Sequence, residues 1–150
     1  MSDKTFSVNT CLYFFVKCNG REKMVEMISD KFSNSIFLKK PFCLTLITLK
    51  SSVITTPTDW RVMRADAGSL AKEITSGNFE FKIGDEFIFP KGVSYSIFTK
   101  TNGKFGYYKL DKPKWIYMNT KISFIIRTNT FIKANTNILL ELIGTKRLKY

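Results

Sequence analysis

"FEFKIGDEFIFPKGVSYSIFT", residues Phe79 to Thr99, is the stretch whose reading decides the fold class. Phe79, Phe81 and Ile83 alternate with Glu80 and Lys82. A side-chain period of two belongs to a strand that buries one face. Gly84-Asp85 then reverses the chain, EFIFP resumes the aromatic alternation, and Pro90 ends it. Gly92 supplies backbone freedom for a second turn. Phe87, Phe89, Val93, Tyr95 and Ile97 are thereby set to pack or pair across a hairpin.

The same grammar continues toward the C-terminus. VSYSIFT, KFGYYKL, KWIYMN, KISFIIR, NTFIKA and NILLELIG are short β-prone runs. Turn residues separate them near Asn102-Gly103, Lys112-Pro113, Asn119-Thr120, Thr128-Asn129 and Asn135-Thr136. Strands at such regular spacing are the signature of a sandwich or barrel. Toward the N-terminus, TCLYFFVKC (10–18) reads as a strand closed by Asn19-Gly20. REKMVEMISDKF (21–32) has helical spacing, with Met24, Val25, Ile28 and Phe32 on one face. FCLTLITLK (42–50) is an apolar strand, and Pro57 demotes the middle of the extended run after it. RADAGSLAKEITSG (64–77) is weakly helical, with Gly77 as its stop. The expectation is a mainly β chain: a single antiparallel β-sandwich domain over residues 1–150, jelly-roll-like, with one or two short helices in the N-terminal half. Residues 1–9 and 145–150 read as flexible arms.

Composition bounds the function. The chain of 150 residues holds 14 Phe, 6 Tyr and 2 Trp, too aromatic for a disordered segment. Lys, Asn, Ile and Phe are abundant, a bias of AT-rich coding that is common in viruses and phages. The absence of histidine removes the usual general base, the usual zinc ligand and Ser-His or Cys-His nucleophiles. Cys11, Cys18 and Cys43 are an odd set without a C-x-x-C pair, which reads as reduced structural thiols. No signal peptide and no membrane span are legible. The expected setting is intracellular, or within a particle assembled there.

The net charge of +12 is uneven. Residues 1–90 hold 12 Lys/Arg against 10 Asp/Glu, a net of +2, whereas residues 91–150 hold 12 against Asp111 and Glu141, a net of +10. Such a field attracts polyanions. Within it, Phe105, Tyr107, Tyr108, Trp115 and Tyr117 interleave with Lys104, Lys109, Lys112 and Lys114. Rings for stacking and lysines for phosphates make 104–117 the candidate nucleic-acid segment. The competing and preferred reading is a hairpin centred on Asp111-Lys112-Pro113. Trp60, with Arg61 and Arg64, is a candidate protein contact, as are Arg147 and Tyr150 in the basic tail. Asp85-Glu86 is the one adjacent acid pair and reads as a solvated turn.

Gly84-x5-Pro90-x-Gly92-x2-Tyr95 resembles the second motif of the cupin family over about a dozen residues. In cupins a metal-binding histidine stands at the position of Tyr95. Here that ligand is a tyrosine, and a chain without histidine cannot carry the first cupin motif. The resemblance therefore implies turn geometry and, at most, a metal-free pocket. The functional expectation is a non-enzymatic structural or assembly protein, such as a virus or phage particle subunit. It would bind other subunits through strand edges, arms and a basic face, with no cofactor and no metal. The alternatives are a single-stranded nucleic acid binder using 104–117 and a metal-free cupin-like small-molecule domain.

Overall fold

The computed structural model describes residues 5–28, 41–53, 71–101, 105–117 and 120–149. Among these described residues ten strands run in chain order: β1 (Thr5–Lys17), β2 (Met24–Ile28), β3 (Phe42–Val53), β4 (Asn78–Ile83), β5 (Glu86–Phe87), β6 (Val93–Ser94), β7 (Thr99–Thr101), β8 (Phe105–Ile116), β9 (Ile122–Arg127) and β10 (Thr136–Lys149). A four-residue helix, α1 (Lys72–Thr75), precedes β4, and a 3-10 turn occupies Tyr95–Ile97. The strands form two open antiparallel sheets. Sheet A has the order β1-β10-β3-β8-β7; sheet B has β2-β9-β4-β5, with β6 also on β4.

The pairing is nested. β1 pairs with β10, β2 with β9, β3 with β8 and β4 with β5. β10 then also meets β3, and β9 meets β4. One apolar cluster joins the sheets. Sheet A contributes Phe14, Leu140, Leu142, Phe42, Ile47 and Leu49; sheet B contributes Met27, Phe79, Phe81, Phe124 and Ile126. Phe124 stands at the centre, with ring contacts to Phe79, Phe81 and Phe89 at 6.0, 5.5 and 6.4 Å. Tilted and edge-on rings fill a two-layer gap while keeping favourable quadrupole geometry.

The alternation in FEFKI is borne out in part: Phe79, Phe81 and Ile83 are buried. Glu80 lies on the opposite face but is only 8% exposed, because it pairs with Arg127. The turn at Gly84 is real, with φ 62°, as is that at Gly92, with φ 75°. Beyond Gly84 the chain forms one broken edge strand. β5 and β6 both pair with β4, and Ile88–Gly92 bulge out between them. Pro90 sits in that break, where no ladder partner needs its missing N–H.

Three expectations are corrected and one, the 64–77 helix, is met in part. Met24–Ile28 within the expected 21–32 helix is a strand, because its apolar residues meet β9 and bury Val25 and Met27. Five residues on a sheet edge satisfy a period of two and of 3.6 almost equally, and tertiary pairing decides. The expected 64–77 helix is Lys72–Thr75 in its described part; its Gly77 admits the Arg127 carbonyl oxygen to 2.3 Å from where a Cβ would stand. NTFIKA (129–134) is a loop, bonded to the β1–β2 connection rather than to a ladder. Residues 5–9 and 145–149, read as parts of arms, pair with each other as the ends of β1 and β10.

Candidate functional site

The hairpin expected at Asp111-Lys112-Pro113 is instead a single strand, β8, of 12 residues. Its register explains why the sequence looked interrupted. Leu44 pairs with Lys114 and Leu46 with Lys109, so the four residues 110–113 stand against Thr45 alone. Pro113 lies in this bulge, outside the hydrogen-bonded ladder. The bulge of β8 and the break between β5 and β6 frame a cleft of about 300 Å³. Phe87, Tyr108 and Leu110 line its apolar side, with Glu86, Asp111 and Lys112 on the polar side. The Lys114 ammonium, also in the lining, is ion-paired with Glu86. Two lysines and two carboxylates leave the cleft without net charge, which suits a small neutral or zwitterionic guest better than a polyanion.

Because β8 is one strand, the residues of 104–117 are divided between its faces. Tyr108 opposes Ile47 and points into the core, where its ring meets Phe89 at 5.6 Å. Tyr107, Lys109 and Trp115 oppose Thr48, Leu46 and Cys43 on the outer face of sheet A. Lys112 is exposed in the bulge, and Tyr117 is 58% exposed just beyond the strand end. Tyr107, Lys109, Trp115 and Tyr117 are thus the members that alternation leaves on one side. Lys104 lies outside the described residues, as do Trp60, Arg61, Arg64 and Tyr150. Arg147 falls in β10, opposite Ser7 of β1.

Sequence reasoning missed what surrounds Tyr107. Register places Tyr13, Glu141, Thr48 and Tyr107 in one row across four strands. Glu141 is 2% exposed. Its carboxylate accepts from Lys50 Nζ at 2.9 Å and Thr48 Oγ1 at 3.2 Å, with Cys11 Sγ at 3.5 Å. The next rows carry Phe15, Leu139 and Lys50 on one side and Cys11, Ile143 and Leu46 on the other. Leu139 is fully buried although it faces away from the core. A Glu in the apolar run LLELI was the available signal: an acid within a 14-residue strand demands a cation on a neighbouring strand.

No family model, curated protein or solved structure matches the chain. The chemistry is therefore read from the residues alone. Tyr95, at the position of the cupin ligand, is 6% exposed, stacked on Phe98 at 5.4 Å and tilted against Phe79 at 6.2 Å. Gly106 makes room for it: an added Cβ would stand 2.6 Å from the Tyr95 hydroxyl. Burial raises the Tyr95 pKa, and a neutral phenol in a ring cluster is a packing group. Among the described residues, no group of three or more His, Cys, Asp or Glu could hold a metal ion. The three cysteines are free thiols. Burial, and then the Glu22 carboxylate, push the Cys18 thiol up to about 12, which makes it inert.

Proposed function

We propose that this chain is a jelly-roll β-sandwich acting as a non-enzymatic subunit of a larger assembly, of the kind that builds virus or phage particles. The nested order supports the jelly roll. With β5 and β6 counted as one broken edge strand and β7 as a short addition beside β8, eight strands pair first with last, second with seventh, third with sixth and fourth with fifth. Jelly rolls serve capsids, lectins and cupins alike, so the order alone does not choose among them.

The observation that favours assembly is the outer face of sheet A. Tyr13, Phe15, Leu46, Tyr107, Trp115 and Ile143 are half-buried there around the Glu141–Lys50 pair. Aromatic and aliphatic side chains with few net charges are the composition of an interface core. The occupant we propose is a second copy of this chain. Sedimentation velocity across a range of concentrations tests it: a growing population of dimers or larger species supports the reading, and one monomeric species throughout removes it.

The second reading is a single-strand binder, favoured by Tyr107, Lys109 and Trp115 sharing one face of β8. It expects loss of oligonucleotide binding on Tyr107→Ala with the fold intact.

A further inference from the structure

We infer that the end of the molecule where the β1–β2 and β9–β10 connections meet is a docking patch for the phosphate backbone of single-stranded nucleic acid. The nested pairing brings these two connections side by side, and three backbone bonds fasten them. Thr128 N–H donates to the Lys23 carbonyl at 2.8 Å, Ile132 N–H to that of Glu22 at 2.8 Å, and Asn135 N–H to that of Cys18 at 2.9 Å. Ile132, fully buried, anchors the second connection from below. Two segments far apart in sequence thereby become one fixed surface.

That surface carries Lys17, Arg21, Lys23 and Lys133, all exposed. The one acid in residues 17–23 and 128–135 is Glu22, which leaves a net of +3 from four cations and one anion. Glu22 is turned inward on its own loop, accepting from the backbone N–H of Asn19 at 3.0 and 3.1 Å and of Arg21 at 3.1 Å. Its carboxylate shapes the loop and does not cap the neighbouring cations. Phe131 stands among them, 58% exposed, with Lys23 Nζ 4.7 Å from its ring centroid. A ring held by an ammonium on a rigid loop offers a stacking surface beside phosphate-binding groups.

The partner must be a polyanion with planar groups. A second copy of the chain is a poor match. With 24 Lys and Arg against 12 Asp and Glu, and with Glu80, Glu86 and Glu141 paired to Arg127, Lys114 and Lys50, two copies of the chain repel more than they attract. The cleft beside β8 is charge-neutral and the 104–117 segment is split between two faces. Among the described residues, Phe87 also lies under a lysine, Lys82, but beside the carboxylates of Asp85 and Glu86, whereas the ring of Phe131 stands among four exposed cations. A monomer would carry the same patch, so it does not depend on the assembly reading.

Fluorescence anisotropy with labelled oligo(dT) of about 20 nucleotides, over a salt series, tests it on the full chain. Three variants are compared with the parent: Arg21→Gln/Lys133→Gln, Phe131→Ala, and Lys109→Gln/Lys112→Gln, which removes equal charge from β8. Circular dichroism confirms that each is folded. The loop double variant is expected to weaken binding at least tenfold and to flatten the log–log salt slope by about 1.4. Phe131→Ala is expected to weaken it roughly fivefold or more, and the β8 variant less than twofold. Equal losses from the two double variants overturn the inference in favour of a diffuse field. So does binding that is absent or insensitive to salt, or binding to anionic phosphatidylserine vesicles without binding to oligo(dT).

Discussion

Two glutamates, one on the outer face of each sheet, sit in similar pairs and in opposite surroundings. Glu80 of sheet B meets Arg127 at 3.2 Å, and the arginine side chain is 41% exposed. Glu141 of sheet A meets Lys50 at 2.9 Å, with side-chain exposures of 11% for the lysine and 3% for the acid. Around Glu80 the outer face holds Lys82, Ser123 and Glu26 with the half-buried Ile125 between the two acids; around Glu141 it holds Tyr13, Tyr107, Leu139 and Leu46. The outer side of sheet B is the more polar of the two and keeps its arginine partly in water, as one side of an antiparallel sheet commonly does. Sheet A treats its outer side as a second interior. Its strands of 12 to 14 residues give a wide face on which Leu139 and Glu141 are buried. The two outer faces thus differ in chemistry, aromatic and aliphatic on sheet A and mixed with charge on sheet B.

The contrast can be broken most severely at Gly144, where β10 shifts register against the Thr45 bulge of β3. A Cβ there would lie 1.9 Å from the Cys43 carbonyl oxygen, with Leu44 Cα at 3.1 Å. Backbone cannot yield as a side chain can, so Gly144→Ala is expected to cost at least about 3 kcal/mol in urea unfolding or to prevent folding. The two glutamates sharpen it next. Glu141→Ala breaks the buried Glu141–Lys50 ion pair and is expected to lose about 3–5 kcal/mol. Glu80→Ala, which leaves an arginine whose side chain is 41% exposed and can turn to water, is expected to lose less, about 1–2 kcal/mol. Equal losses would mean that the two faces do not differ in the way described.

The smallest effect concerns alkaline pH. Cys18 and Tyr95 both have pKa values raised by burial, so the fold holds their protons more tightly than the unfolded chain does. Their contribution to stability is complete below the ordinary thiol value of 9.0 and declines as pH rises toward about 12. Melting temperatures are expected to fall over that window, and Cys18→Ala to fall less steeply. An unchanged slope in the variant would show that the thiol is not the group titrating.

Much of sheet B and of the core was legible because period-two patterns such as FEFKI and ISFIIR carry their own register of buried and solvated positions. Met24–Ile28 was not, since a five-residue run cannot distinguish the two periods. Residues 110–113 misled because Lys-Pro is turn chemistry, and a wide bulge uses the same residues as a hairpin tip. The candidate surfaces were less legible still. The row Tyr13–Glu141–Thr48–Tyr107 and the joined loops at 17–23 and 128–135 exist through strand order, which local pattern does not specify. In the aromatic-lysine segment 104–117, alternation along β8 sends Tyr108 and Lys114 inward and leaves Tyr107, Lys109 and Trp115 outside.

The central claim is that the outer face of sheet A is a contact surface between copies. Sedimentation velocity of the parent chain beside a Phe15→Lys/Tyr107→Lys variant, both shown to be folded, tests it most directly. The account predicts concentration-dependent association for the parent and a single monomeric species for the variant. A parent that stays monomeric at every concentration, or a variant that associates as the parent does, would contradict it.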